Sequence, residues 1–180
     1  LARISAYTFP VAGFFDAELH VSEPWASAGA GIGGHVLHLL EQPKMRARLS
    51  FTEIARLRSI AQRLAAELDA AWPVPALCHS DFKASNLLVH EGRLSAVVDW
   101  EFAHSGSPGV ALGQLFRHAL PDGFEKSFAA AYRAEGGNLP KGWRELARRA
   151  DLVNLLDFMN RSDLTKDWEE DLRRLISKTV

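Results

Sequence analysis

The chain has 180 residues, a hydrophobic fraction of 47% and a formal net charge of −1, enough apolar material for one sizeable core. The balanced charge gives no reason to expect a nucleic-acid partner, and no apolar run is long enough to span a membrane. A single cysteine, Cys78, excludes an internal disulfide, and the absence of repeats and signal sequence leads to the expectation of one cytoplasmic globular domain over residues 1–180.

The first distinctive segment is Gly29-Ala30-Gly31-Ile32-Gly33-Gly34. It lacks the G-x-G-x-x-G spacing and the following strand lysine of a nucleotide loop, so a flexible loop or the approach to a helix is expected. His35 and His38 stand at helical i, i+3 spacing, but no Cys, Asp or Glu matches them, and Leu37, Leu39 and Leu40 indicate an ordinary buried helix. Ser50-x-x-Glu53 is a capping box, with Leu49 and Ile54 placed to staple across it. Ile54, Leu57, Ala61, Leu64, Leu68 and Trp72 continue as one apolar stripe, a long helix that Pro73 and Pro75 end before a short strand at Ala76 to Cys78.

Leu87 to Val89 and Leu94 to Val98 are apolar runs of strand length around His90-Glu91-Gly92-Arg93. This predicts a β-hairpin turning at Glu91-Gly92, with Val89 opposite Leu94. Four helices follow. One carries Val110, Leu112, Leu115, Phe116 and Ala119 up to Pro121, and a second runs from Phe124 to near Gly136-Gly137. A single long helix is expected from Gly142 to about Asn160, and a last one from Thr165 to Ser177. Arg144, Arg148 and Arg149 form a basic stripe interrupted by Glu145 and Asp151, which reads as a solvated face. The fold class is mainly α with a small β-hairpin (α+β).

The chemistry concentrates at the base of that hairpin. His79-Ser80-Asp81-Phe82-Lys83-Ala84-Ser85-Asn86 precedes the first strand, and Asp99 ends the second in Val97-Val98-Asp99-Trp100-Glu101. Folding at Glu91-Gly92 brings Asn86 and Asp99 to the same open end, where cross-strand neighbours lie roughly 5 to 8 Å apart. A neutral amide oxygen and a carboxylate at that separation suit a hard cation such as Mg²⁺, which completes its shell with water and phosphate. Asp81 carries a carboxylate that can accept the proton of a substrate hydroxyl. Lys83 places a positive charge where a transferring phosphoryl group would meet it, and His79 is suited to bracing the loop. Cys78, just before it, reads as a small buried residue rather than a nucleophile.

These two stretches resemble the aminoglycoside phosphotransferase-like small-molecule kinases, which share the protein-kinase fold and include choline kinase and fructosamine kinase among their relatives. The resemblance extends to Arg3-Ile4 through Pro10, Gly13 to Asp16, Ser105 to Pro108 leading to Leu112-Gly113, and Asp151 to Asn160. It implies a C-terminal lobe of a protein-kinase-like fold, with Asp81 as base, Asn86 and Asp99 as Mg²⁺ ligands, and Glu101 where many members carry a second acid. It further implies transfer of the γ-phosphoryl of ATP or GTP to a hydroxyl of a small molecule of aminoglycoside, sugar or amino-alcohol type. Lys83 matches the catalytic-loop lysine of protein kinases better than the residue usual in the small-molecule branch.

Two departures shape the expectations. Ala111 stands where the family carries an aspartate that anchors the catalytic loop, which implies a loosely held Asp81 loop and makes a kinase-like binding protein the alternative reading. A protein kinase is the less favoured alternative, because Asp99-Trp100-Glu101 replaces Asp-Phe-Gly and no Ala-Pro-Glu segment follows. No glycine-rich phosphate loop and strand lysine occur, so the nucleotide-binding N-terminal lobe is expected upstream in cis, and these 180 residues alone are expected to be inactive. Trp25, Trp143 and Trp168 are read as packing residues that could also line a pocket.

Overall fold

The structure, a computed structural model, describes residues 1–179. In chain order the elements are α1 (Ala2–Ser5), β1 (Gly13–Phe15), β2 (Val21–Pro24), α2 (Ala28–Glu41), α3 (Pro43–Arg48), α4 (Phe51–Ala71), β3 (Ala76–Cys78), β4 (Leu87–His90), β5 (Arg93–Val97), β6 (His104–Gly106), α5 (Gly109–Leu115), α6 (Phe124–Ala134), α7 (Trp143–Ala150), α8 (Leu152–Met159) and α9 (Lys166–Ser177).

Helix α4 forms as its sequence predicts. Ser50 accepts from the Glu53 backbone N–H and the Glu53 side chain accepts from the Ser50 N–H, completing the capping box. Its buried residues Leu57, Ala61, Leu64 and Leu68 serve two cores. Leu57 and Ala61 pack with Val36, Leu40, Met45, Leu156 and Leu172 from α2, α3, α8 and α9. Leu64 and Leu68 pack with Trp72, Leu112, Phe116 and Trp143 on the side of α5, α6 and α7. The long helix is therefore the shared wall on which both halves are built.

The glycine run at 29–34 is not a loop. It lies inside α2, which Ser27 opens by accepting from the Ala30 N–H. A Cβ on Gly29 would sit 2.1 Å from the Ala65 carbonyl oxygen of α4, and one on Gly33 would lie 3.0 Å from that of Ala61. Two glycines one turn apart thus let the helices approach nearly backbone to backbone, and Asp69 of α4 fixes the start of α2 by accepting from the Gly29 N–H at 2.8 Å. On the same helix His35 and His38 are exposed rather than buried. Their rings stack at 6.2 Å, and no group of three metal-ligating side chains forms among the described residues.

The predicted single helix from Gly142 to Asn160 is two helices, broken at Asp151. Its buried carboxylate takes a bidentate bond from Arg117, at 2.7 and 2.6 Å, and accepts from Asn154 Nδ2 at 3.0 Å. The break thus falls at this ion pair, with no glycine or proline beside it. The basic stripe before it is ion-paired rather than solvated. Arg149 bonds Glu67 and Glu145, Arg148 bonds Glu145, and Arg144 bonds Glu125 with its guanidinium 4.4 Å above the Phe116 ring. The helix expected to reach Pro121 ends at Leu115.

The hairpin β4–β5 has the expected register, Val89 opposite Leu94 and His90 opposite Arg93. Glu91 at φ 48 and Gly92 at φ 73 make the left-handed two-residue turn that matches strand twist. Beyond it lies a second sheet, absent from the sequence-based expectation of one hairpin: four antiparallel strands in the order β2-β1-β6-β3. Its strand β3 is the short one expected at Ala76 to Cys78, and β1, β2 and β6, of three or four residues each, are too short for an alternating pattern to register. This small sheet carries β3, and so fixes where the Asp81 loop begins.

Candidate active site

The loop 79–86 leaves β3 at Cys78 and enters β4 through a short 3₁₀ turn at Ala84–Asn86. Almost every polar group along it is held. His79, fully buried, donates from Nε2 to the Val98 carbonyl at 2.9 Å and accepts at Nδ1 from the Asp81 N–H at 3.2 Å, which fixes its tautomer. Its ring packs on Trp100 at 4.5 Å and Phe82 at 5.9 Å. His79 is the brace expected of it.

Asp81 is half-buried. Its Oδ2 meets Lys83 Nζ at 2.6 Å and Asn86 Nδ2 at 2.9 Å, and the same Asn86 nitrogen donates to the Asp81 backbone carbonyl at 2.9 Å. Two donors on Oδ2 orient the carboxylate and leave Oδ1 without a hydrogen bond among the described residues. Both protons of the Asn86 amide are used, so its Oδ1, near only the Ser85 hydroxyl at 3.3 Å, is the atom left for a cation. Asn86 O accepts from the Val98 N–H at 3.0 Å, which closes the hairpin base and sets Asp99 beside Asn86 in the next position of the opposite strand.

Among the described residues, four non-glycine residues have positive φ. Leu19 and Glu91 are in tight turns, whereas Ser80 at φ 60 and Asp99 at φ 69 flank the site. A left-handed backbone costs an L-residue roughly 1 to 2 kcal/mol, and such strain persists only where surrounding contacts enforce it. At Asp99 it turns an exposed carboxylate into the cavity.

That cavity, about 550 Å³, is lined by Asp81, Lys83, Asp99 and Glu101 at one end. Phe14, Trp25, His104 and Phe158 supply aromatic lining, and Asn154, Asp157 and His35 supply further polar lining. Trp25 packs against His104 at 5.2 Å and edge-on to Phe14 at 5.1 Å, so it lines the pocket, whereas Trp143 is buried in the core and Trp168 packs on Phe158. The volume suits a small molecule. Asn86 Oδ1 and the Asp99 carboxylate fit the oxygen donor set of Mg²⁺, which takes one or two protein ligands plus water and phosphate rather than a full protein cage. Glu101 lines the same end, but no three acidic or His/Cys groups converge into a closed metal site among the described residues.

Two contributors had no sequence signal. Gln114 of α5 accepts from the Phe82 N–H at 2.9 Å and donates to the Ser80 carbonyl at 2.5 Å. His104 of β6 bonds the Ser80 hydroxyl through Nδ1 at 2.9 Å. A lone Gln and a lone His look like any others in the sequence until the fold brings them to the Asp81 loop. The loosely held loop implied by Ala111 is therefore not what the fold contains. Ala111 is buried and apolar, and Gln114, one turn further along the same helix, holds the loop instead.

The family model described as the phosphotransferase enzyme family matches residues 12–149, a stretch that includes the Asp81 loop, the hairpin and Asp99. The fold is similar to the crystal structure of a protein assigned as a fructosamine-3-kinase from Thermobifida fusca, with a TM-score of 0.68 and 18% sequence identity. The match covers 94% of this chain and 60% of that one, so the chain spans about three fifths of the length of that structure. No protein with a curated description matches the chain. A likeness at that identity carries the fold, kinase-like α+β, and the family match carries membership. The chain belongs to the phosphotransferase enzyme family.

Proposed function

We propose that this chain is the catalytic and substrate-binding portion of a small-molecule kinase that moves the γ-phosphoryl of ATP or GTP to a hydroxyl. The observation that carries the reading is the Asp81 carboxylate, oriented through Oδ2 by Lys83 and Asn86 and lining a cavity of about 550 Å³. Oδ1 accepts the proton of the acceptor hydroxyl as the oxygen attacks phosphorus. Asn86 Oδ1 and Asp99 would hold Mg²⁺, which neutralises phosphate charge when bound; Glu101 would support it from the same end. Lys83 serves as a countercharge to the transferring group. The acceptor lies in this cavity, and an amino sugar, sugar or amino alcohol fits the mixture of aromatic and polar lining. In this reading the nucleotide-binding N-terminal lobe belongs to the part of the protein that this chain does not span, and the protein works in the cytoplasm.

The test is Asp81→Asn in the full-length protein, assayed with Mg·ATP against a panel of amino sugars, sugars and amino alcohols. The amide keeps the shape but cannot take the proton, so turnover should fall by about 10² to 10⁴-fold with the circular dichroism unchanged. Turnover equal to wild type would remove Asp81 from the role of base. The 180 residues by themselves are expected to show no transfer.

A further inference from the structure

We propose that Gln114 is a positioning residue for Asp81, clamping the backbone on both sides of it; this rests on the phosphotransferase reading above. Gln114 Nε2 donates to the carbonyl of Ser80 at 2.5 Å, and its Oε1 accepts from the N–H of Phe82 at 2.9 Å. Asp81 lies between those two residues, so one side chain fixes the peptide before it and the peptide after it. The amide orientation is forced. Turned over, it would set oxygen against the Ser80 carbonyl and N–H against the Phe82 N–H.

The clamp counters a strained backbone. Ser80 has φ 60, an unfavourable conformation for an L-residue, and the loop would relax from it without an external hold. Other bonds reach this segment, from His104 to the Ser80 hydroxyl and from Asn86 to the Asp81 carbonyl. Among the described residues, Gln114 is the side chain that grips both neighbours of Asp81 at once.

The platform under Gln114 is rigid, as a positioning group requires. On α5, Leu112 is fully buried, and a Cβ on Gly113 would lie 2.2 Å from the Ala147 carbonyl oxygen of α7. Helix α5 is thus pressed against α7 and cannot slide. Gln114 itself is only half-buried, so replacing it removes the clamp without opening the core.

The experiment compares Gln114→Ala, Gln114→Glu and wild type in the full-length protein by two readouts. The first is hydrogen exchange at the Phe82 amide. Gln114→Ala should accelerate it by about tenfold or more, whereas Gln114→Glu, which retains an acceptor for that N–H, should keep most of the protection. The second is Mg·ATP turnover, with water as the phosphoryl acceptor and kcat and KM separated. Gln114→Ala should lower kcat by about 10 to 100-fold with KM for ATP within about twofold, and Gln114→Glu should fall between it and wild type. Unchanged Phe82 exchange in Gln114→Ala overturns the clamp. Faster exchange with unchanged kcat overturns the positioning role and leaves a structural contact. A wild-type protein that turns over neither Mg·ATP nor Mg·GTP, with water or with any acceptor of the panel, overturns the phosphotransferase reading, and the positioning role with it, while the exchange data still decide the clamp.

Discussion

His104 sits on β6 with its ring buried among Phe14, Trp25 and the Asp81 loop, and its Nε2 has no hydrogen-bond partner among the described residues. Burial penalises the imidazolium and drives the pKa down to about 4 from the ordinary 6.5, against the pull of the Phe102 carbonyl. In the unfolded chain the ring protonates first as pH falls, while the folded ring stays neutral. Its contribution to stability is therefore whole above pH 6.5, is lost as pH falls from 6.5 toward 4, and is constant below that. A shift of this size corresponds to about 3 kcal/mol. His104→Asn, whose side-chain amide can still meet the Ser80 hydroxyl, should abolish that share of the acid slope in urea titrations at pH 7 and pH 4.5; equal slopes would rule out His104 as the acid-sensitive group. The residues proposed to carry the chemistry, Asp81, Asn86 and Asp99, are legible in the sequence because a hairpin of readable length fixes their relation. His104 and Gln114 were not, because their partners lie 24 and 34 positions away and nothing local marks them.

The contact of α2 with α4 depends on which face of α2 each glycine occupies. Gly29 and Gly33 face α4, and Gly34 faces open space, with nothing within 4 Å of a built Cβ. Gly29→Ala must push its methyl into the Ala65 carbonyl, 2.1 Å away, and should destabilise the protein by about 1 to 3 kcal/mol as the helices separate. Gly34→Ala removes unfolded-state freedom at no steric cost and should stabilise by about 0.5 to 1 kcal/mol. Denaturant midpoints of the two variants should move in opposite directions, and parallel shifts would show that the close approach is not structural. The run had the composition of a loop, and only the partner surface makes it a helix; propensity yielded to packing. Helix α4 and the β4–β5 hairpin, by contrast, carry their instructions locally in a capping box, an apolar stripe and a Glu-Gly turn. Strands β1, β2 and β6 are too short to carry a periodic signal.

At the scale of the whole molecule the two cores meet where α7 gives way to α8, and Arg117 and Asp151 hold that junction. Arg117 follows α5, which belongs to the core containing Leu112 and Trp143, while α8 supplies Leu152, Leu155 and Leu156 to the other. Burial pushes the Asp151 carboxyl up, and the Arg117 guanidinium pulls it back, so the acid is tolerated there because the bidentate partner is present. Arg117→Leu leaves a buried carboxylate without a cation and should cost about 3 to 5 kcal/mol. For a chain of this size that lowers the thermal midpoint by roughly 10 °C. Because α4 spans both cores, unfolding should remain a single transition with an unchanged denaturant m-value. Adding Asp151→Leu to Arg117→Leu should recover most of the loss, since two apolar side chains replace the ion pair without stranding a charge. Two separate transitions in Arg117→Leu would mean that the cores fold independently and that the junction only tethers them. A double variant as unstable as the single one would mean that the bend at residue 151 needs the ion pair itself.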